Sequence, residues 1–412
     1  MINSNILIVG SYPPPYGGIS SNVRDLAPFL KKQSRGDVWV LTEDQQNSSL
    51  RVDDITVIRM NFKTIWSKEI SWFNPFWFLK SLTMLLPYKL GLRHSLKISL
   101  KATYIRHFVI KNDVGFVIFM EDFINEAIIP YLKDAWKSNI PITSMAWGVS
   151  KQLAFFSKRK RMLNDIIVSS DFIWASSNYC ARGVELAGVV SNKIQTIYLG
   201  VDTNHFKSNE IEYLKYRKDN KISTQSPIIL FVGRMNQEMG LDTVLKIIPL
   251  VLSKNPDVKF ILLGAHDNLT PDALKLQIQF PDNVMVQVNA PFSVVGSSMQ
   301  ICDVLLAPSL INHACMGMSI KEAMACGKVI VASNSGGIPE AIIDQESGFL
   351  FPANESGNVD IQNLYSILLS ILADSPKREQ IGYFARKRAL ELFSKDDTHK
   401  KMLEMFSSVG LK

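Results

Sequence analysis

Twice along the chain, short apolar runs ending in glycine give way to residues with helical periodicity, and this repeated alternation limits the possible folds more than any other feature. NILIVGS (5–11) leads through YPPPYGG into ISSNVRDLAPFLKK, whose apolar residues recur at helical spacing. A run without polar alternation needs cover on both faces, as in a parallel sheet flanked by helices. DVWVLT (37–42), GFVIFM (115–120), ITSMAW (142–147), FIWASS (172–177) and IQTIYLG (194–200) continue this first series. The pattern then restarts: PIILFVGR (227–234), helical LDTVLKIIPLVLSKN, VKFILLGA (258–265), VMVQVN (284–289), DVLLAPS (303–309) and KVIVASN (328–334). Two such series in tandem give an α/β chain of two Rossmann-like domains, and 412 residues is a length that two cores would share. The polar stretch TNHFKSNEIEYLKYRKDNKISTQS lies between them. The expected divisions are an N-terminal domain at 1–205, a second domain at 206–385 and a charged helical tail at 386–412.

Composition removes several alternatives. With 47% hydrophobic and 20% charged residues the chain is globular rather than disordered. The four cysteines form no C-x-x-C pair and sit among apolar or small residues, so buried thiols in a reducing compartment are expected. The first residues carry no basic leader and their apolar run is strand-length, which adds to a cytoplasmic expectation.

Charge is unevenly placed. Residues 63–111 hold nine Lys or Arg against Glu69 alone, a local charge of +8, while the rest of the chain nets −1. Trp66, Trp72, Phe73, Phe76, Trp77 and Phe78 crowd the same stretch, and Lys80 and Pro87 break it up too much for it to span a bilayer. Aromatic rings beside lysines suit an anionic membrane surface, whereas a helix pair packed on the first domain would bury the rings and leave the lysines in water. The concentration of tryptophan and lysine favours a membrane-facing segment at about 62–111, peripheral on the inner face. Nothing matches a module that reads DNA or RNA, so no nucleic-acid partner is expected.

In paired Rossmann-like domains, ligands bind at the carboxyl ends of the strands. Three loops stand there. In GSYPPPYGGISS, Gly17 and Gly18 sit at a helix start, where a ligand can approach backbone N–H groups. In FVGRMNQEMG, Gly233 ends a strand and Arg234 follows it, placed to clamp a diphosphate; a surface ion pair is the alternative, and the strand-end position favours the phosphate. After DVLLAPS, the chain runs through LINHACMGM into SIKEAMACG, with unpaired N–H groups expected near Met316, Gly317, Met318 and Ser319. Glu322 has two readings: it accepts hydrogen bonds from the hydroxyls of a ribose, or it completes a Ser319-x-x-Glu322 capping box.

These stretches, with SSNYCARGVELAGVVSNKIQTIYLGVDTNHF and the run from 303 to 352, resemble the GT-B glycosyltransferases of family 4, in order and over nearly the whole chain. The resemblance implies a GT-B fold, with two Rossmann-like domains facing each other across a deep cleft. It further implies a nucleotide-sugar donor on the second domain, a glycan acceptor on the first, transfer with retention, and neither metal nor cofactor; no D-x-D is present. By the same resemblance Gly17 and Gly18 approach the donor phosphates, Arg234 neutralises the diphosphate, the amides at 316–318 hold sugar and phosphate, and Glu322 binds the ribose. Three positions depart from the family pattern. Ala314 stands where a second glutamate is usual, Met239 where a lysine is common, and Trp147 where a histidine often follows the fourth strand; His313 is a possible hydroxyl partner in compensation. The expected function is metal-independent sugar transfer to a lipid-linked acceptor in bacterial-type surface polysaccharide assembly. Its alternative is a catalytically silent protein of the same fold that binds nucleotide or partner enzymes at the membrane.

Overall fold

The structure is a computed structural model describing residues 2–13, 18–62, 72–121, 125–136, 140–146, 158–186, 192–219, 222–309, 315–353 and 359–411. Its contacts divide the chain into two compact units, one of residues 1–197 with 399–412 and one of 198–398.

The first unit is built on β1 (Asn5–Gly10), β2 (Val38–Glu43), β3 (Ser48–Val52), β4 (Ile55–Met60), β5 (Val114–Met120), β6 (Ile142–Ala146), β7 (Phe172–Ala175) and β8 (Ile194–Thr196), in the order β3-β4-β2-β1-β5-β6-β7-β8. Every pairing is parallel except β3 with β4. The sequence reading missed that hairpin. Its turn is Asp53-Asp54, both in the left-handed region, which short acidic side chains tolerate. Ile6, Leu7, Ile8 and Val9 of β1 are fully buried, as expected for a strand covered on both faces.

The second sheet contains β9 (Ile228–Val232), β10 (Lys259–Gly264), β11 (Val284–Val288), β12 (Val304–Ala307), β13 (Val329–Ser333) and β14 (Phe349–Phe351), in the order β11-β10-β9-β12-β13-β14, with all pairings parallel. Strand alternation sends Leu230, Leu305 and Ile330 into one core with Ile320 and Met324 of the helix Met318–Ala325. Phe231, Leu306 and Val331 enter the other, with Val244 and Ile248 of the helix Leu241–Lys254. Each such side chain, fully buried, contributes about 1.5–3 kcal/mol.

The unit boundaries differ from those expected at 205 and 385 for reasons of non-local contact. Residues 198–202 join the second unit because Val201 bridges Ser394, the Thr398 hydroxyl donates to the Tyr198 carbonyl at 2.9 Å and Lys395 pairs with Asp202 at 2.6 Å. The tail beyond 398 belongs to the first, where Phe406 packs 5.5 Å from Phe116 and 6.3 Å from Trp174 between ring centroids. Of the cysteines, Cys302 and Cys326 are buried free thiols.

In the first unit the chain continues from α1 (Gly18–Gln33) to α2 (Pro75–Leu85), a tight turn at Leu86–Tyr88, α3 (Leu92–Lys111) and α4 (Ile129–Trp136). Pro75 opens α2 with its fixed φ, and the Asn74 side chain caps it by accepting from the Phe76 and Trp77 amides. No helix among the described residues is long and apolar enough to cross a membrane.

Candidate functional site

Strand order fixes where each unit can hold a ligand. In the second sheet β10 lies on one side of β9 and β12 on the other, so the crevice at a reversal of direction opens between the loops after β9 and β12. Arg234 stands there, two residues beyond the end of β9 and exposed, and its guanidinium has no hydrogen bond or ion pair among the described residues. No described residue forms an ion pair with the Arg234 guanidinium, although its charge reaches Asp267. The turn that carries it is tightly braced. Asn236 accepts from the Met239 amide at 3.0 Å and donates to Asp267 at 2.8 Å. The Asn268 amide, then Asn236 and more weakly Arg234, hold the Asp267 carboxyl below the usual carboxylate range. Gly240 has φ +77, and a Cβ there would lie 1.9 Å from the Pro308 carbonyl oxygen, so the two loops meet at a position only glycine fits. Gly233 lies against Met239, which is partly buried and packs on the apolar core.

Across that crevice begins the helix Met318–Ala325. Gly317 is its N-cap, at φ +75, and no side chain caps it. Ser319 is therefore the second residue of the helix rather than its cap, and the capping-box reading of Ser319 and Glu322 fails, since that motif needs serine at the cap and glutamate at the third helical position. Met316 is buried in the core, so only its backbone can face a ligand, and Met318, partly buried, packs against that core. Glu322 is 8% exposed. Next to it is a residue the sequence reading passed over: Lys321, buried, donates from Nζ to the Leu199 carbonyl at 2.6 Å and lies 5.6 Å from the Phe393 ring centroid. Burial pushes its ammonium down to about 7, partly opposed by Glu322. Nothing local in SIKEAMA marks that lysine as buried.

The first sheet has its reversal between β1 and β5. Gly18 begins α1 at this edge; Gly17, Trp147, His313 and Ala314 lie outside the described residues. The Tyr12 amide donates to the Thr42 hydroxyl at 3.3 Å, and Arg59 donates to the Pro13 carbonyl at 2.6 Å while pairing with Asp44 at 2.7 Å. Beside this loop is a buried charge network that the sequence reading also missed, formed by Lys101, Glu121, Glu126 and Ser144.

The basic aromatic segment divides in two. Trp72, Phe73, Trp77 and Phe78 pack inward: Trp72 lies 5.3 Å from Tyr104, and Trp77 lies 6.3 Å from Tyr131 with the Arg106 guanidinium 3.8 Å over its ring. Lys80 pairs with Asp134, Lys97 with Glu43 and Lys101 with Glu121. Three of the nine cations of the stretch are therefore matched by acids from other parts of the chain. What remains outside is apolar, since Phe76, Leu79, Leu86 and Leu92 are each more than half exposed. Lys89 and Arg93 are exposed beside them. Arg159 donates to the Tyr88 and Lys89 carbonyls at 3.1 Å each, which brings exposed Lys158, Lys160 and Arg161 to the same surface. Trp66 lies outside the described residues.

Two largely parallel doubly wound sheets, the second with an exposed arginine and an uncapped helix start at its point of reversal, give the architecture of the GT-B fold. Comparison with known proteins points the same way: residues 213–388 match the family model described as glycosyl transferases group 1. Among curated relatives, alpha-maltose-1-phosphate synthase of Mycolicibacterium smegmatis is 29% identical over 200 residues, 46% of this chain and 50% of the relative. D-inositol 3-phosphate glycosyltransferase of Xylanimonas cellulosilytica is 26% identical over 253 residues, 59% of this chain and 58% of that one. The chain thus spans about half the length of the curated relatives it matches. Among solved structures, sucrose-phosphate synthase of Thermosynechococcus elongatus has a TM-score of 0.77 at 17% identity and 99% coverage of both chains. Anabaena HepE in complex with UDP and glucose has 0.73 at 18%, with 98% of this chain and 100% of that one covered. WaaG, a glycosyltransferase involved in lipopolysaccharide biosynthesis, has 0.68 at 15%, with 98% and 99% covered. At these identities the structural likenesses establish the fold alone.

Proposed function

We propose that this chain is a retaining glycosyltransferase that moves a sugar from a nucleotide-sugar to a lipid-linked glycan in bacterial-type surface polysaccharide assembly, at the inner face of the membrane. The observation that carries the transfer reading is the pairing, at one point of strand reversal, of an exposed Arg234 without a partner among the described residues and a helix start without a side-chain cap. Both meet a diphosphate as negative charge grows on its leaving oxygen, and charge stabilisation that grows toward the transition state is what accelerates the reaction. Glu322 takes the ribose hydroxyls. By family resemblance, the acceptor attacks from the face the diphosphate leaves and a departing phosphate oxygen receives its proton. The lipid-linked acceptor draws support from the exposed apolar residues ringed by Lys89, Arg93, Lys158, Lys160 and Arg161, and from the likeness to WaaG.

A second reading, nucleotide binding without catalysis, is favoured by Met239, whose packing against the core leaves no cation at the position where the family commonly has lysine. The deciding experiment is calorimetric titration with UDP, GDP, ADP and their sugar conjugates, followed by measurement of acceptor-dependent nucleotide release. Transfer predicts one preferred nucleotide and a turnover that Arg234→Ala lowers by roughly 10²–10³-fold, with a much smaller change in donor affinity. Nucleotide binding with no acceptor-dependent nucleotide release would establish the silent reading instead.

A further inference from the structure

We infer that Glu121 is the carboxylate by which the first unit grips a hydroxyl of the acceptor sugar, and so determines which sugar is accepted. The inference rests on the glycosyltransferase reading, which assigns the acceptor to this unit. Glu121 directly follows β5, and the register of β5 on β1, Gly10 opposite Met120, sets it beside the loop that leaves β1 at the point of strand reversal. Ligands of open parallel sheets bind in that crevice.

The surroundings of Glu121 are built rather than incidental. Lys101 of α3, 3% exposed, pairs through Nζ with Oε2 of Glu121, which is itself 10% exposed and the more accessible partner. From the turn Asn125–Ile128, the fully buried Glu126 accepts from the Glu121 amide at 3.3 Å through Oε1 and from the Ser144 hydroxyl through Oε2. Glu126 thereby ties Glu121 at the end of β5 to β6, and the contact with Lys101 fixes the orientation of the Glu121 carboxylate. A buried ion pair seldom stabilises a fold more than apolar residues of the same volume, so stability alone does not account for one at a strand end in a ligand crevice.

The chemistry selects the ligand class. A carboxylate only accepts hydrogen bonds and an ammonium only donates, so in contact they present both functions side by side. A sugar hydroxyl, which donates and accepts at once, matches that pair. A phosphate would be repelled by Glu121, and an apolar group would leave the carboxylate stripped of water without compensation.

The test uses the full chain and two independent readouts: calorimetric titration with UDP, GDP and ADP, and saturation-transfer NMR with the methyl glycosides of glucose, galactose and mannose. The wild type is expected to bind at least one glycoside selectively. Glu121→Gln should weaken that binding about tenfold, the loss of one charge-assisted hydrogen bond, with nucleotide affinity unchanged. Because Glu121→Gln strands the Lys101 charge, the double variant Lys101→Met/Glu121→Gln serves as the folded control, expected to melt near the wild type and to lose glycoside binding equally. Glycoside binding that survives in both variants, or a wild type that binds nucleotide but none of the three glycosides, would overturn the assignment. Failure of the wild type to bind any nucleotide, with glycoside binding intact and sensitive to Glu121, would sink the transferase reading and leave Glu121 as a sugar ligand.

Discussion

Lys321 should make the stability of this protein depend on pH in a way one substitution removes. Its ammonium is buried in the helix Met318–Ala325 with the Leu199 carbonyl 2.6 Å from Nζ, and burial lowers its titration from the ordinary 10.5 to about 7. Between those values the unfolded chain keeps a proton that the folded chain has released, so stability rises with pH across that window. Below pH 7 both states are protonated and the penalty for burying the charge is fully present. Each pH unit within the window is worth about 1.4 kcal/mol. From pH 7 to 9, allowing for half-titration at the lower end, the gain is about 2 kcal/mol. Lys321→Met keeps the length of the side chain and cannot titrate. It should lose about 1 kcal/mol for the unmatched Leu199 carbonyl, a contribution independent of pH, but it also removes the penalty for burying a charge, so its pH dependence flattens and it gains on the wild type by about 2 kcal/mol as pH falls from 9 to 7. Guanidinium unfolding of wild type and variant at half-unit steps from pH 6.5 to 9 measures the difference between the two curves, which cancels contributions from other groups. Parallel curves would show that the lysine reaches water and keeps its ordinary titration.

Three other expectations concern the crevice and the exposed patch. Gly240→Ala combines a left-handed φ of +77 with a Cβ 1.9 Å from the Pro308 oxygen, and should cost about 3 kcal/mol or more, or prevent folding, by thermal melting. Ser319→Ala should change stability by less than ~0.5 kcal/mol, because the residue lies inside the helix; a loss of about 1 kcal/mol would restore it as a cap. Replacing Phe76, Leu79 and Leu86 together with serine should release the protein from anionic vesicles in a flotation assay without lowering its melting temperature, whereas Trp77→Ser should destabilise it through lost contact with Arg106 and Tyr131. Vesicle binding unchanged in the triple variant would remove the surface argument for a membrane.

The two Rossmann-like series could be read from local pattern because a strand covered on both faces must be apolar throughout, and a helix on such a sheet must repeat its apolar residues at 3.6. Arg234 was legible for the same reason: its place just beyond a strand end follows from the strand itself. Local pattern failed where the partner is distant or the element is short. It missed the β3–β4 hairpin, whose turn uses two aspartates rather than glycine or asparagine, and the three-residue β14. In the segment after 62 it registered the abundance of tryptophan and lysine but not their sorting, since Asp134, Glu43 and Glu121, which match three of the lysines, come from other parts of the chain.

The sequence by itself determined the fold class and the two-unit plan, and it located the strand ends at which a ligand is expected. Tertiary structure decided that Ser319 does not cap its helix, that Met239 belongs to the core and that Lys321 is buried. It also brought Lys101, Glu121 and Glu126 together at the first point of strand reversal. The first set follows from the free energy of burying regularly spaced apolar groups, which periodicity records. The second depends on the desolvation and pairing of single polar groups by residues up to 122 positions away, and no local spacing encodes such a partner.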